Sequence, residues 1–347
     1  MTVEGLIEVR ETHRFDEDAL VEYLAGRLPG FTVLDRIRQF HGGQSNPTFA
    51  LEGNSAIWVL RKKPPGELLP SAHAVDREYR VQAALRDQGV PVPEMYLFCD
   101  DDSVIGTPFY VMECLRGRVF DDPLLPDVGP ADRTALYDAM NRTLAAIHLV
   151  DHEAAGLADF GRPGNYFARQ IARWTRQWEL SRTREVPEMD RLIEWLPANI
   201  PPGDETSVVH GDYRLGNMIF APDRPEVIGV LDWELSTLGH PLGDLGYNIS
   251  GFQIPQSIRH GIMGLPADYG IPDQASYVAD YCRRTGRDPI DTHFYVAFSM
   301  FRFAAIAEGV LARGLSGNAS SSNATEVGAQ TVPYARTAWS LVCGETS

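Results

Sequence analysis

The sequence predicts an α+β protein in which a smaller part with antiparallel strands precedes a larger, mostly helical part. Short alternating strands separated by turns fill residues 33–113, and helical periodicity dominates after Pro130. We expect antiparallel pairing because only short turns separate the strands. With 44% hydrophobic and 22% charged residues, the 347-residue chain has the composition of a globular protein that is ordered nearly end to end.

The N-terminal part is predicted to contain five strands and one helix. Branched and charged residues alternate within the strands, and glycine and proline punctuate them. Val75, Tyr79 and Ala83 recur at helical spacing, and Gly89 closes that helix. The predicted strands cover residues 33–40, 48–51, 56–60, 94–98 and 109–113, and the helix covers residues 75–86.

A turn-rich stretch from Gly117 to Gly129 marks the boundary between two predicted domains, residues 1–117 and 118–347. The second domain is predicted to be mostly helical, with a nearly all-apolar helix over residues 294–311. Strands return only between Ser207 and Trp233, where they include a β-hairpin.

Polar residues next to these later strands carry the strongest functional signal. Asp212 follows an apolar strand, and Asn217 comes five residues later. Asp232 stands at the end of another apolar strand. Phosphoryl transfer from a nucleotide requires a carboxylate that orients a hydroxyl and accepts its proton, and oxygen ligands that hold Mg²⁺ on the phosphates. Asp212 suits the first role, and Asn217 and Asp232 suit the second; the alternative is that they only cap a turn.

The pattern HGDxxxxN followed by DWE resembles the aminoglycoside phosphotransferase family, whose members are related to choline kinase and protein kinases. The resemblance covers residues 33–312. It implies a protein-kinase-like, two-lobed fold with a small antiparallel-sheet lobe that binds nucleotide and a larger, mostly helical lobe that binds the acceptor. It also implies ATP, or another nucleoside triphosphate, and Mg²⁺ as cofactors, and an alcohol group as the acceptor.

Several upstream residues are candidates for nucleotide binding. Gly43 and Ser45 lie in a loop between two strands, where glycine lets the backbone approach phosphates. The resemblance places a phosphate-gripping cation at the end of the third strand and favours Arg61 over Lys62; the two point to opposite faces, so only one can serve. Glu78, 17 residues after Arg61, is the expected partner of that cation. The alternative for Glu78 is a solvated helix carboxylate.

The segment from Tyr110 to Leu115 resembles the kinase hinge. In this interpretation the Glu113 carbonyl accepts a hydrogen bond from the adenine amino group, and the Leu115 N–H donates to the ring. Because backbone groups make these contacts, an edge strand explains the same residues nearly as well.

Other charged residues are predicted to be structural or are left open. His148 is interpreted as structural and His210 as bracing its loop, since no third ligand at usable spacing supports a zinc site. Asp244 matches a family position that stabilises the catalytic loop. Arg302 and Glu308 interrupt the apolar helix and need partners. Arg302 is expected either to bind an anionic group of the acceptor or to pair with an internal aspartate.

Within the family the chain looks most like the kinase-like domain that precedes some long acyl-CoA dehydrogenases, and like its stand-alone bacterial relatives. This resemblance implies a hydroxyl acceptor on an acyl chain, such as a hydroxyacyl-CoA. Two alternatives remain. One is a pseudokinase that binds nucleotide without transferring a phosphoryl group. The other is an antibiotic kinase, whose polycationic substrate would require a cleft rich in carboxylates.

Composition limits the partners. With 31 Lys and Arg against 47 Asp and Glu, the net charge of −16 repels nucleic acid and anionic membrane surfaces. The four scattered cysteines suggest neither a disulfide framework nor a zinc site, and the N-terminus lacks the features of a signal peptide. We therefore expect a cytoplasmic enzyme with a small-molecule hydroxyl acceptor as its partner. The oligomeric state is left open.

Overall fold

A six-stranded antiparallel sheet organises the first of two units in the computed structural model, which describes residues 5–41, 46–64, 74–316 and 323–344. The first unit comprises Met1–Val119, His152–Phe160 and Asn217–Ser236. The second unit comprises Phe120–Asp151, Gly161–Gly216 and Thr237–Ser347.

The strands of the sheet lie in the order β1-β2-β3-β4-β6-β5, and every neighbouring pair is antiparallel. Strand β6 is therefore interior and β5 forms an edge, so the hinge-like segment does not begin on an edge strand. The strands are β1 (Leu6–Ile7), β2 (Arg36–Phe40), β3 (Thr48–Gly53), β4 (Ala56–Lys62), β5 (Met95–Cys99) and β6 (Phe109–Glu113).

Both faces of this sheet are buried, because alternate side chains point in opposite directions. In β6, Phe109 and Val111 pack in the same cluster as Leu20, whereas Tyr110 and Met112 pack in a separate cluster. The helices of the unit are α1 (Glu17–Leu24), α2 (Val75–Asp87) and α3 (Asp102–Ile105).

The expectation of a single helix in the N-terminal part was wrong, since α1 and α3 are also present. Both are short and are stabilised at their N-termini by aspartate side chains. Asp16 accepts a hydrogen bond from the Ala19 N–H at 2.9 Å, and Asp101 accepts one from the Ser103 N–H at 2.9 Å. Eight and four residues are too few for a clear helical period in the sequence.

The predicted hairpin is present as β8 (Met218–Phe220) and β9 (Val227–Val230), after the short strand β7 (Ser207–Val209). The sequence assigned these residues to the domain 118–347, but the structure groups the hairpin with the first unit. Phe220 exchanges backbone hydrogen bonds with Arg118, and the Val230 N–H donates to the Pro91 carbonyl at 2.8 Å. Neither pairing has a local signature in the sequence.

The second unit is mostly helical and contains a two-stranded sheet of β7 and β10 (Thr237–Gly239). Its long helix α9 contacts α5, α6, α7, α10 and α11, while α4 contacts α8. A Cβ on Gly246 would lie 2.5 Å from the Tyr295 carbonyl oxygen, so only glycine allows α7 to approach α9 this closely. The helices are α4 (Pro130–His148), α5 (Tyr166–Ser181), α6 (Pro187–Ala198), α7 (Pro241–Ile249), α8 (Gln274–Thr285), α9 (His293–Leu315), α10 (Ala324–Gly328) and α11 (Thr331–Cys343).

Helix α9 is long and apolar enough to cross a membrane when judged by length and composition alone. The most apolar window of this helix is 78% buried within the protein. A buried central helix of this kind passes the same length and composition test as a membrane span.

Candidate active site

The predicted metal ligands and the predicted phosphate-binding cation belong to the first unit, whereas Asp212 belongs to the second. In the first unit, Arg61 and Lys62 are consecutive at the end of β4. Arg61 Nε lies 2.9 Å from Glu78 Oε2, whereas Lys62 Nζ lies 5.2 Å from the centre of the Phe15 ring. The structure therefore brings Arg61, and not Lys62, to Glu78.

Glu78 is only 1% exposed, so it is not a solvated helix carboxylate. The Asn46 amide donates to Glu78 Oε1 at 2.7 Å, and the Tyr110 hydroxyl donates to Oε2 at 3.0 Å. Burial raises the pKa of Glu78, although the charge of Arg61 opposes the shift. Burial and the Glu78 charge also raise the pKa of Tyr110, which keeps its hydroxyl protonated as a donor. These contacts hold the carboxylate in one place beside Arg61.

Asp232 lies two residues beyond the end of β9 and has a backbone φ of +66°. This left-handed conformation costs roughly 1–2 kcal/mol for a residue with a Cβ. Asp232 Oδ1 accepts a hydrogen bond from Arg61 Nη2 at 2.9 Å, and 35% of the side-chain surface remains exposed. A strained backbone beside an accessible charged group is typical of functional sites.

Asn217 immediately precedes β8, and the hairpin brings it next to Asp232. Met218 pairs with Val230, and the Leu231 N–H donates to the Asn217 carbonyl at 2.8 Å. Residues 217 and 232, which are 15 positions apart in the sequence, therefore meet at one end of the hairpin. This is the pair that the sequence predicted to hold a metal ion.

Asn217 and Asp232 offer the oxygen donors that magnesium prefers. The Glu234 carboxylate is close by, with Oε2 at 3.8 Å from Arg61 Nη2. Magnesium is usually bound by one or two carboxylates and completes its shell with phosphate and water. Among the described residues, no group of three or more His, Cys, Asp or Glu side chains could hold a metal by itself. The donor set therefore suits a magnesium ion shared with a phosphate rather than a closed zinc site.

Two predicted phosphate-binding residues, Gly43 and Ser45, lie outside the described residues. The next residue, Asn46, is fully buried against Glu78. No local pattern in the sequence connects Asn46 or Tyr110 to Glu78, because each of the two contacts spans 32 residues.

The hinge-like segment leaves the sheet at the end of β6. The Glu113 N–H donates to the Glu94 carbonyl at 2.8 Å, and the Glu113 carboxylate accepts from the Glu94 N–H at 3.1 Å. Leu115 lies beyond the strand and packs over Gly229, where an added Cβ would lie 2.2 Å from Leu115 Cδ1. The structure thus places both predicted adenine-contacting residues where the chain passes from strand to loop.

In the second unit, Asp244 holds the loop that follows β7. The carboxylate of Asp244, which is 1% exposed, accepts hydrogen bonds from the His210 N–H at 2.6 Å and from the Gly211 N–H at 2.9 Å. Burial alone would raise the pKa of Asp244, but the facing His148 and His210 outweigh burial and lower it. A charged acceptor therefore fixes the backbone that leads into Asp212.

Both histidines brace this loop. His148 Nδ1 shares a hydrogen bond of 2.7 Å with the Tyr281 hydroxyl, and His148 Nε2 lies 3.6 Å from Asp244 Oδ2. His210 Nδ1 accepts from the Asp212 N–H at 3.2 Å. Both side chains are buried, so these contacts agree with the structural interpretation of the two residues.

Asp212 itself is held through both carboxylate oxygens. The Tyr247 hydroxyl donates to Oδ1, and Arg214 Nε lies 3.4 Å from Oδ2. Burial raises the pKa of Tyr247, and the Asp212 charge raises it further, so the hydroxyl keeps its proton and remains a donor. About a quarter of the Asp212 side chain is exposed, at 23%. Sequence reasoning missed Tyr247, which follows Asp212 by 35 residues.

The sequence suggested two partners for Arg302: no aspartate among the described residues pairs with it, and binding to an anionic group of the acceptor stays a prediction. Its Nη2 donates to the Gly211 carbonyl at 3.0 Å, and the guanidinium carbon lies 5.4 Å from the Trp174 ring centre and 5.5 Å from that of Tyr247. No carboxylate in the described part of the chain forms an ion pair with it. Arg302 therefore supports the Asp212 loop from the core helix α9.

Glu308, the other charge in α9, is fully buried and has internal partners. Its Oε1 accepts from the Thr183 N–H at 2.8 Å, and its Oε2 pairs with Arg184 Nη2 at 2.8 Å. Burial would raise the pKa of Glu308, but these donors lower it below its ordinary value. Glu308 therefore joins α9 to the segment after α5.

In the second unit, a loop held by Asp244 and Arg302 presents Asp212. In the first unit, a hairpin presents Asn217 and Asp232 beside the buried Arg61–Glu78 pair. These features are typical of a phosphotransferase of the kinase-like class. Residues 36–294 match the profile of the phosphotransferase enzyme family, and the chain belongs to that family. The expected fold class is confirmed, as is a phosphotransferase with an alcohol acceptor at the level of the family.

Solved structures support the same fold. A candidate aminoglycoside phosphotransferase from Ralstonia eutropha JMP134 is 49% identical, with 96% of this chain and 100% of that chain covered and a TM-score of 0.88. The aminoglycoside phosphotransferase APH(4)-Ia, solved with AMP-PNP and hygromycin B, is 14% identical, with 94% and 99% covered and a TM-score of 0.61. At 14% identity, this second likeness concerns the fold alone.

Curated relatives confirm the predicted likeness to chains that include an acyl-CoA dehydrogenase. Acyl-CoA dehydrogenase family member 10 from Mus musculus is 46% identical over 97% of this chain and 32% of the relative. Family member 11 from Gallus gallus is 45% identical over 96% of this chain and 44% of the relative. The chain therefore spans less than half the length of these relatives.

Proposed function

We propose that the protein transfers the terminal phosphoryl group of ATP, or of another nucleoside triphosphate, to a hydroxyl group of a small molecule. The observation that carries this proposal is the clamp on the loop of Asp212. Asp244 holds two consecutive N–H groups, Arg302 holds the Gly211 carbonyl, and Tyr247 holds the carboxylate of Asp212. Such a preorganised and partly exposed carboxylate is suited to orient an attacking hydroxyl.

Asp212 is proposed to accept the proton of the acceptor hydroxyl as its oxygen attacks the terminal phosphorus in line. The bond from that phosphorus to the bridging oxygen breaks, and the nucleoside diphosphate leaves with the electron pair. In a loose transition state the hydroxyl loses its proton late, so a carboxylate is a strong enough base.

The first unit is proposed to bind the nucleotide. Arg61 would grip the phosphates, with Glu78 fixing its direction, and Gly43 and Ser45 would supply the phosphate loop. The Glu113 carbonyl and the Leu115 N–H would contact the base. Support comes from the buried Arg61–Glu78 pair and from the fold neighbours that were solved with AMP-PNP or ADP.

Asn217 and Asp232 are the residues that would hold magnesium. When bound, the ion would neutralise phosphate charge and orient the phosphates. In the present structure Arg61 contacts both Glu78 and Asp232, so one cation satisfies two carboxylates. Metal and phosphate would offer Asp232 and Arg61 alternative partners of the appropriate charge.

For the acceptor, we propose a hydroxyl on an acyl chain, as in a hydroxyacyl-CoA or a related metabolite such as a free hydroxy acid. The names of the curated relatives connect them to acyl-CoA chemistry. A cavity of the second unit lies beside Asp212. Its described lining residues include two arginines, Arg214 and Arg259, and one carboxylate, that of Asp121. A polycationic antibiotic would require more carboxylates than that. The net charge of −16 disfavours a nucleic-acid partner, and the four scattered cysteines fit a cytoplasmic enzyme.

The test is an ATP-consumption and product-mass screen of hydroxylated small molecules, including hydroxyacyl-CoA thioesters, with Asp212→Asn and wild type compared. We expect one class of alcohol to gain a phosphoryl group. Asp212→Asn should lower kcat by about a hundredfold or more while nucleotide affinity stays nearly intact. The exposed Asp223→Asn is the matched control and should retain wild-type turnover.

Asp232→Asn tests the metal assignment separately, because it removes the charge and keeps the side-chain volume. It should abolish turnover and weaken magnesium-dependent nucleotide binding while the fold survives. Full activity in Asp232→Asn would refute that assignment. Nucleotide binding by the wild type without transfer to any alcohol would instead favour a pseudokinase.

A further inference from the structure

A cavity of about 230 Å³ lies within the second unit, next to the residues that hold Asp212. Tyr247 and Arg214, which contact the two carboxylate oxygens of Asp212, both line it. The volume equals roughly eight water molecules at about 30 Å³ each, which is room for a short chain.

Most of the cavity wall is apolar. Five apolar residues face the same space and come from three segments of the second unit: Ile254 and Ile262 between α7 and α8, Phe303 and Ile306 from α9, and Val327 from α10. A ligand that fills this part of the cavity must itself be apolar, since polar groups would lose their hydrogen bonds to water there.

The cations of the cavity differ in their surroundings. Arg214 has carboxylates on two sides. Asp212 Oδ2 lies 3.4 Å from Arg214 Nε. Asp121 Oδ1 and Arg214 Nη1 both lie next to Gly216, so Asp121 is the second carboxylate near this guanidinium. The guanidinium of Arg259 makes no ion pair with any carboxylate in the described part of the chain. Among the described residues, Arg259 is therefore the exposed cation of the cavity that no carboxylate contacts directly.

The backbone of Arg259 is nevertheless fixed. Its N–H donates to Gln330 Oε1 at 3.4 Å, and its carbonyl accepts from the Tyr334 hydroxyl at 3.1 Å. The next residue, His260, has a φ of +67°, a strained value for a residue with a Cβ. A Cβ on Gly251 would lie 2.8 Å from the His260 carbonyl oxygen, so this turn packs tightly against the cavity wall.

His260 adds a neutral donor beside the cation. Desolvation by the surrounding atoms, together with the charges of Arg259 and Arg214, lowers the pKa of His260 to about 4, although part of the residue is exposed. Its imidazole is therefore uncharged at neutral pH. Arg259 and His260 line the same cavity as Arg214 and Tyr247, which contact Asp212.

From this arrangement we infer that the cavity binds an acceptor alcohol that carries an anionic group near its hydroxyl and a short apolar chain, with Arg259 contacting the anion. This inference rests on the proposed function and deepens it, because it names the chemistry of the acceptor. The anion would balance the charge of Arg259, the chain would cover the apolar wall, and the hydroxyl would lie at Asp212.

The test uses defined probes and calorimetric binding to the full chain. The probes are the hexanoates with a hydroxyl at carbon 2, 3, 4 or 5, each paired with its primary amide, which has nearly the same shape without the charge. At least one hydroxyhexanoate should bind wild type about tenfold more tightly than its amide, as expected for one charge-assisted hydrogen bond that is partly screened by water.

Two variants isolate the role of Arg259. Arg259→Gln should remove the preference for the carboxylate and leave amide binding unchanged. Arg313→Gln, an exposed arginine on α9 outside the described cavity linings, is the matched control and should keep the preference. Thermal unfolding of both variants checks that they remain folded.

The inference is overturned if no probe binds, if acid and amide bind equally, or if Arg259→Gln retains the preference. These outcomes differ from a failure of the proposed function. An Arg259-dependent preference without phosphoryl transfer to any alcohol would leave the binding site in place and refute the kinase activity. Transfer to neutral alcohols with no carboxylate preference would support the kinase activity and refute the inferred role of Arg259.

Discussion

Replacing Asp244 with asparagine tests whether the clamp on the catalytic loop determines both stability and turnover. The carboxylate accepts two backbone hydrogen bonds, at 2.6 Å from His210 and 2.9 Å from Gly211. Asparagine keeps one acceptor oxygen and turns the other position into a donor, so one N–H loses its partner in a fully buried place.

The structure allows the size of the effect to be worked out. A hydrogen bond to a charged group contributes about 1.5–3 kcal/mol, and a buried N–H left unpaired costs about 1–3 kcal/mol. Some of this is offset because the uncharged amide costs less to bury than the carboxylate of Asp244. We therefore expect Asp244→Asn to lower the free energy of unfolding by about 3 kcal/mol. Turnover should fall by about a hundredfold, because a displacement of about 1 Å at Asp212 costs that much.

Urea unfolding and steady-state kinetics with the identified acceptor measure the two effects. Asp280→Asn, at a half-exposed position on α8, serves as the control and should stay within about 0.5 kcal/mol of wild type. Because the folded-state pKa of Asp244 is lowered, its stabilisation is present above pH 3.8 and is lost as pH falls through the folded-state pKa. The difference between Asp244→Asn and wild type should therefore shrink below pH 3.8. An unchanged free energy of unfolding at pH 7 would refute the reasoning.

Three further substitutions test the surroundings of the clamp. Tyr247→Phe removes only the hydroxyl that donates to Asp212; kcat should fall by about tenfold while the KM for nucleotide stays unchanged, whereas an unchanged kcat would mean that the contact is only structural. Arg302→Met keeps the apolar stem but leaves the Gly211 carbonyl without its donor; unfolding by urea should show a loss of about 1–3 kcal/mol together with lower kcat, and unaltered kcat would contradict a positioning role. Glu308→Gln breaks a buried ion pair and should cost about 3 kcal/mol in thermal or urea unfolding with KM unchanged; a shift in KM would instead connect Glu308 to substrate.

Local patterns were sufficient for the fold class and for the central motif. The alternation in β6 predicted a strand, and the structure buries Phe109 and Tyr110 on opposite faces of the sheet. Two apolar strands joined by a turn predicted the hairpin that brings Asn217 to Asp232. These features depend on neighbours in the sequence, where spacing alone determines which side chains meet.

Contacts between distant residues had no such signature. The sequence left Arg61 and Lys62 as alternatives, and the choice followed only from which face of β4 meets Glu78. Strand alternation separates two consecutive side chains without saying which of them faces the partner.

The sequence by itself determined that this chain has the strand, loop and hairpin that carry Asp212, Asn217 and Asp232, because each of them lies in a segment with its own local pattern. Only the tertiary structure decided what surrounds Asp212. Tyr247 and Arg302, 35 and 90 residues further along the chain, reach the loop because α7 and α9 pack there. A buried polar group takes whichever partner the packing brings within hydrogen-bond distance, and that choice depends on how the helices assemble rather than on spacing along the chain.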